Sequence, residues 1–219
     1  MSVSEWRTNV CDRKIRKTNS KEDQSPSKIQ KDFDSSPHYN NSEVTQTLTW
    51  RVNVKDKNRI KIEVKDMPDI PDAYIRHIGP YKGDSALFES LFIKLMTWAG
   101  PSGLLRFPET QVLSVYHDDP DITDEDKLRT SACISVPEDT QCEGEVGRMS
   151  VPGGKYAVAR FELKSDEYEE AWNMVMGEWF PESGYQPDDR PCYELYQNNP
   201  KEHSEGLHIV DICVPVKPL

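Results

Sequence analysis

Apolar residues recur along this chain with two different periods, and the switches between them mark out its elements. Ile60, Ile62 and Val64 alternate with charged neighbours, which is the period of a half-buried strand over 59–65. Met67-Pro68-Asp69-Ile70-Pro71-Asp72 reads as a turn, and Ala73 to Gly79 as a second short strand. Gly79-Pro80-Tyr81-Lys82-Gly83-Asp84 breaks that strand. Leu87, Leu91, Leu95 and Trp98 then follow helical spacing, so a helix is predicted from an Asp84 or Ser85 cap to about Trp98, stopped by Gly100-Pro101. Strands are expected at about 111–117 and 129–136. The same order returns further on. Strands at 148–151 and 155–163 flank Pro152-Gly153-Gly154. A helix capped by Ser165 or Asp166 carries Tyr168, Trp172, Met176 and Trp179 on one face. Strands at about 191–197 and 206–215 complete it.

The recurrence is visible in the residues themselves. Val112-Leu113-Ser114-Val115-Tyr116-His117-Asp118-Asp119-Pro120 matches Cys192-Tyr193-Glu194-Leu195-Tyr196-Gln197-Asn198-Asn199-Pro200, with Tyr116/Tyr196 and Pro120/Pro200 identical. Ala132-Cys133-Ile134-Ser135-Val136-Pro137 resembles Asp211-Ile212-Cys213-Val214-Pro215 at nearly the same offset. Two copies of one supersecondary unit stack around a shared seam, because one copy alone leaves an apolar face exposed. The expected fold class is α+β: a duplicated strand–helix–strand–strand module, each copy preceded by a short extra strand. It forms an antiparallel sheet with two long helices over one face.

Composition narrows this picture. Hydrophobic residues make up 36% of the 219 and charged residues 30%, which is polar for a chain packed along its whole length. Residues 8–47 hold too little apolar surface to offset the cost of ordering a backbone, so they read as a linker, with the folded domain spanning 48–219. Residues 1–60 carry 12 Lys and Arg against 8 Asp and Glu; the rest carries 15 against 30. A domain this acidic repels phosphates and suits a cationic ligand better. No apolar run approaches the roughly 20 residues of a membrane span, and the N-terminus shows no secretory pattern, so a cytoplasmic protein is expected. Five cysteines without a CxxC pair point to buried free thiols rather than to a disulfide framework or a metal site.

The repeat breaks at one place of chemical interest, where Ser114 in the first copy becomes Glu194 in the second. In a strand Glu194 shares a face with Cys192 and Tyr196, and the matching face of the first copy carries Ser114 and Tyr116. If that face lies under the helices, the carboxylate sits among tyrosines and Trp98, Trp172 or Trp179. Aromatic walls around one buried carboxylate suit an organic cation. The plainer readings are a solvated Glu on an open strand face and tryptophans that simply fill the core. No GxSxG, HExxH, P-loop or dinucleotide fingerprint is present, and no cofactor is expected. Asp118-Asp119-Pro120-Asp121 and Asp124-Glu125-Asp126 read as a solvated acidic loop, with a divalent ion as the weaker option. A catalytic reading keeps Glu194 as a general acid or base whose pKa an apolar pocket raises.

Several separated motifs, in order, resemble the GyrI-like small-molecule-binding domain over roughly 60–217. They are Arg76-His77-Ile78-Gly79-Pro80-Tyr81, Val115-Tyr116-His117-Asp118-Asp119-Pro120, Gly153-Gly154-Lys155-Tyr156-Ala157-Val158, Pro191-Cys192-Tyr193-Glu194-Leu195-Tyr196-Gln197-Asn198 and Asp211-Ile212-Cys213-Val214-Pro215-Val216. The resemblance implies a duplicated SHS2-like module with a groove between its helices. It implies a central acidic residue there, matching Glu194, and aromatic positions matching Tyr81, Trp98, Tyr116 and Trp172; Tyr196 joins them from the repeat. It also implies an effector-binding half of an AraC-type bacterial transcription regulator. The ligand would be an amphipathic, cationic small molecule. The alternatives are a stand-alone gyrase-inhibitor-like or toxin-sequestering binder, and a hydrolase using Glu194. Met1-Ser2-Val3-Ser4-Glu5-Trp6-Arg7 resembles the last turn of an AraC-type DNA-binding region, with Val3 departing from the usual Pro. Residues 1–7 are thus expected to be a remnant of that domain, and DNA contact to run only through a helix-turn-helix absent from this chain.

Overall fold

The computed structural model describes residues 61–219; the expected remnant at 1–7, the linker at 8–47 and a domain start at residue 48 lie outside the described residues. Among the described residues, nine strands and two α-helices make an α+β fold. The strands are β1 (Ile62–Met67), β2 (Ile70–Ile78), β3 (Val112–Tyr116), β4 (Arg129–Ser135), β5 (Gly147–Val151), β6 (Gly154–Leu163), β7 (Tyr185–Pro187), β8 (Cys192–Tyr196) and β9 (His208–Pro218). All pair antiparallel, in the order β1-β6-β9-β8-β3-β4-β2-β5, with β7 on the far end of β9. The turn expected over 67–72 shortens to Pro68-Asp69, because Ile70 and Pro71 already pair with Val151 and Ser150.

That order forces the sheet to curl. β1 and β2 are six strand spacings apart, about 29 Å in a flat sheet, yet only Pro68-Asp69 joins them, a reach of roughly 11 Å. β5 and β6 are likewise six spacings apart and joined only by Pro152-Gly153. The two links meet, and the Gly153 amide donates to Asp69 Oδ1 at 2.7 Å. A Cβ on Gly153 would lie 2.6 Å from the Met67 carbonyl oxygen and 2.7 Å from the Asp69 nitrogen, so the crossing admits only glycine. Inside the curl Ile70, Leu113, Val115, Tyr156, Val158, Tyr193 and Leu195 are buried against one another.

The helices cover the outer face. α1 (Ser85–Ala99) begins at Asp84, whose side chain accepts the Leu87 amide at 2.9 Å, and ends at Gly100. It buries Leu91, Leu95 and Ala99 over β2 and β4, against Ala73, Ile75, Ala132 and Ile134. The second helix corrects the expected long one. α2 spans only Tyr168–Asn173, continues as a wider π-helical turn over Met174–Trp179, and closes in a 3-10 turn at Phe180–Glu182. Its cap position is Glu167, without a side-chain cap bond, and neither Ser165 nor Asp166 fills that role. Gly177 and Pro181 weaken the α geometry in this stretch. Widening the turn rotates later residues off the Tyr168–Trp172 face. Ala171, Met174, Val175 and Phe180 are therefore the buried residues, packed on β6 and β9 through Ala157, Ala159, Phe161, Val210, Ile212 and Val214.

Candidate functional site

With α1 over β2 and β4 and α2 over β6 and β9, the central pair β3–β8 is the floor between the helices. Side chains alternate along strands, so Val112, Ser114 and Tyr116 face the helices from β3, and Cys192, Glu194 and Tyr196 from β8. The register sets Ser114 directly opposite Glu194 at the middle of the seam. Glu194 is 3% exposed, so the reading of a solvated carboxylate is set aside.

The carboxylate is held by neutral donors. Trp172 Nε1–H donates to Oε1 at 2.7 Å, and the Tyr196 hydroxyl donates to Oε2 at 2.8 Å. Ser114 Oγ lies 2.9 Å from the Tyr196 oxygen; since that hydroxyl already donates to Glu194, Ser114 is the donor of the second bond. A relay therefore crosses the seam from Ser114 through Tyr196 to Glu194. Burial raises the Glu194 pKa above the ordinary carboxylate range, and Trp172, Tyr196 and Tyr116 offset only part of that rise. Burial and the neighbouring Glu194 charge push the Tyr116 and Tyr196 hydroxyls up in turn.

A continuous aromatic wall surrounds this centre. Tyr116 meets Trp172 edge-on at 5.7 Å between centroids and lies 5.5 Å from Tyr81. Phe88 sits edge-on to both Tyr81 and Tyr116, at 6.2 and 6.5 Å, and Phe92 meets Tyr196 at 5.7 Å. Tyr81 is buried, whereas Tyr116, Trp172, Tyr196, Phe88 and Phe92 are half-exposed. Tyr168 stands one turn before Trp172, its hydroxyl 2.8 Å from His208 Nδ1, and burial with the Glu194 charge raises its pKa.

The structure thus brings Glu194, Tyr116, Tyr196, Trp172 and Tyr81 together. Trp98 goes elsewhere: it packs near the end of α1 with the cluster of Leu95 and Ala99, and no described contact takes it to Glu194. Trp179, rotated by the π turn, stacks on Tyr185. Phe88, Phe92, Tyr168 and His208 were missed. The two phenylalanines sit four apart beside the Leu91–Leu95 stripe, a signal present in the sequence but hidden by the stronger leucine pattern. In the acidic loop Asp118 pairs with Arg129 and Asp124 with Lys127, so these two carboxylates have basic partners. Among the described residues Cys133, Cys192 and Cys213 are buried and Cys142 is half-buried, none of them in a disulfide. No described helix is long and apolar enough to cross a membrane.

Comparison with known proteins bears on the fold and the family. The chain is 30% identical over 131 residues to a DNA gyrase inhibitor of Edwardsiella ictaluri (strain 93-146), covering 58% of this chain and 80% of that protein. It is 34% identical over 128 residues to DNA gyrase inhibitor 2 of Dickeya dadantii (strain 3937), covering 56% and 75%. Among solved structures, the crystal structure of the EcmrR C-terminal domain superposes with a TM-score of 0.58 at 19% identity, over 73% of this chain and 99% of that one. EcmrR in its DNA complex gives 0.62 at 19% identity, over 75% of this chain and 61% of that one. A family profile for the GyrI-like small molecule binding domain matches residues 60–217, more than half of the chain, and the chain belongs to that family.

Proposed function

We propose that the space between the two helices binds a lipophilic organic cation, with Glu194 as its counter-charge. The observation that carries this reading is a carboxylate at 3% exposure whose described partners are the neutral Trp172, Tyr196 and Tyr116. Such a group holds its proton more tightly than an exposed carboxyl does until a positive charge arrives. The half-exposed rings above it offer cation–π attraction of about 0.5–2 kcal/mol each once desolvated. Binding should therefore release a proton and strengthen as pH rises through the Glu194 pKa.

The mirrored strand order about β3–β8, and the facing of Ser114 by Glu194, support reading the halves as two copies of one SHS2-like unit. The fold shared with EcmrR, solved in a DNA complex, supports a place as the effector-binding part of a regulator, and the resemblance of the heptapeptide Met1–Arg7 supports the AraC type. A second reading, direct inhibition of gyrase, is favoured by relatives named DNA gyrase inhibitor, one of them covered over 80% of its length. Glu194→Gln keeps shape and hydrogen bonding but deletes the charge. It should weaken cationic dyes by roughly 2–5 kcal/mol in tryptophan-quenching or calorimetric titrations, while leaving neutral analogues unchanged. Equal binding of cations by Glu194→Gln, or equal binding of neutral analogues by the parent, would exclude Glu194 as the counter-ion. The hydrolase reading would then take precedence.

A further inference from the structure

On the side of the sheet away from the helices, Asp72, Tyr74, Arg76 and Ile78 share one face of β2. Cys133 and Ser131 share it from β4, and Leu113 and Val115 from β3, with His117 next in line. The inward end of this face is the dry interior of the curl. The other end carries a rigidly held guanidinium. Arg76 Nε donates to Ser131 Oγ at 3.2 Å, and Nη2 donates to His117 Nε2 at 3.3 Å and to Met149 Sδ at 3.6 Å. Arginine can only donate, so His117 Nε2 is the acceptor and the ring carries its proton on Nδ1. Ser131 Oγ then donates to His117 at 2.9 Å while accepting from Arg76.

The guanidinium also rests on the Tyr74 ring, 4.7 Å from its centroid. That ring occupies the place a side chain would take at residue 147: a Cβ on Gly147 would lie 2.7 Å from the Tyr74 hydroxyl oxygen. Arg76 is thus fixed from below and from one side, with both Nη1 hydrogens unpartnered among the described residues. It has no carboxylate within ion-pair distance there, as is also true of Arg106 and Arg148, whereas Arg129, Arg160 and Arg190 pair with Asp118, Asp211 and Asp188; what sets Arg76 apart is that Ser131, His117 and the Tyr74 ring hold it in place. Two residues along the same face, Ile78 is 62% exposed.

We propose that Arg76, supported by His117 and Ser131, is a second recognition site, separate from the Glu194 floor. It takes a side-chain carboxylate on an acidic segment of a partner protein, with an apolar neighbour of that carboxylate covering Ile78. A planar guanidinium whose geometry is already paid for in hydrogen bonds and ring stacking matches a carboxylate with little further ordering. The apolar contact beside it distinguishes a peptide segment from a free ion.

The test uses the full chain, nitrogen-15 labelled, titrated with a capped peptide of alternating glutamate and leucine. The Arg76 Nε–H and His117 ring resonances should move saturably. The same peptide with glutamine for glutamate should bind at least tenfold more weakly, as should glutarate and inorganic phosphate. Arg76→Gln should lose at least tenfold in affinity for the acidic peptide. Ile78→Glu, which leaves the Arg76 contacts in place and repels the peptide, should lose as much. Equal affinity for the glutamine peptide overturns carboxylate recognition. Saturation by glutarate or phosphate at peptide concentrations overturns the protein-partner assignment. If Arg76→Gln does not fold, Ile78→Glu decides, and parent-level affinity there overturns the site.

Discussion

Asp72 gives the sharpest test of the curled sheet, because its carboxylate is placed where a flat sheet would expose it. It lies on β2 facing the interior, with no exposed surface, and neither oxygen has a hydrogen bond of normal geometry. Burial pushes its pKa up from 3.8 to about 7, and the nearby Val151 amide and Cys133 thiol offset only part of that. A raised carboxyl pKa means that the folded state holds the proton more tightly than the unfolded chain. The associated stability is fully present below pH 3.8 and is lost as pH rises toward 7. A shift of about three units corresponds to roughly 4 kcal/mol at 1.36 kcal/mol per unit. Asp72→Asn preserves shape and cannot ionise. The variant should therefore match the parent within about 1 kcal/mol near pH 4 and exceed it by up to roughly 4 kcal/mol at pH 8. Urea unfolding at several pH values reads this directly, and the difference between the two proteins removes the titration of every other carboxylate. A difference that stays constant with pH, or that grows in the parent's favour, would refute the buried placement.

Two further outcomes follow from the same geometry. Gly153→Ala puts a methyl against the Met67 carbonyl and the Asp69 backbone where the two links cross, so it should cost at least about 2 kcal/mol in urea unfolding; a change under 0.5 kcal/mol would mean that the crossing is loose. Trp172→Phe removes the N–H donor to Glu194 Oε1, a contact that lowers the carboxyl pKa, so the pH midpoint for cation binding should move upward, with weakened binding below it; an unchanged midpoint would show that Trp172 does not set the charge state.

Much of the fold could be read from the chain, and the limits have physical causes. Alternation placed the strands that carry the site, and of the two residues offered as a cap, Asp84 and Ser85, the structure uses Asp84. β7, three residues long, is too short for a period to show. The pairing of β1 with β6 and of β5 with β2 is written in no local pattern; it follows from two-residue links that make sense only once the sheet order is known. The second helix misled for a clear reason. Tyr168, Trp172, Met176 and Trp179 have α spacing, but the backbone widens at Met174, so spacing carries the first two to the Glu194 side and not Trp179.

The site's charge asymmetry has a physical reason as well. Residues 114 and 194 face each other across one antiparallel seam, at a distance where directly opposed side chains are about 4.5–5.5 Å apart at Cβ. A symmetric pair of carboxylates there would be two like charges in a buried space, and one would be forced to keep its proton. Serine at the first position avoids that conflict and does more than leave room. Its hydroxyl donates to Tyr196, which frees the Tyr196 proton for Glu194 and turns the loss of one acid into support for the other. On the proposed reading, one charge at the centre of the β3–β8 seam, with rings contributed from both sides of it, suits a single monocation better than a pair of carboxylates would. The departure from the sequence repeat at Ser114 and Glu194 is therefore where the proposed reading puts the chemistry.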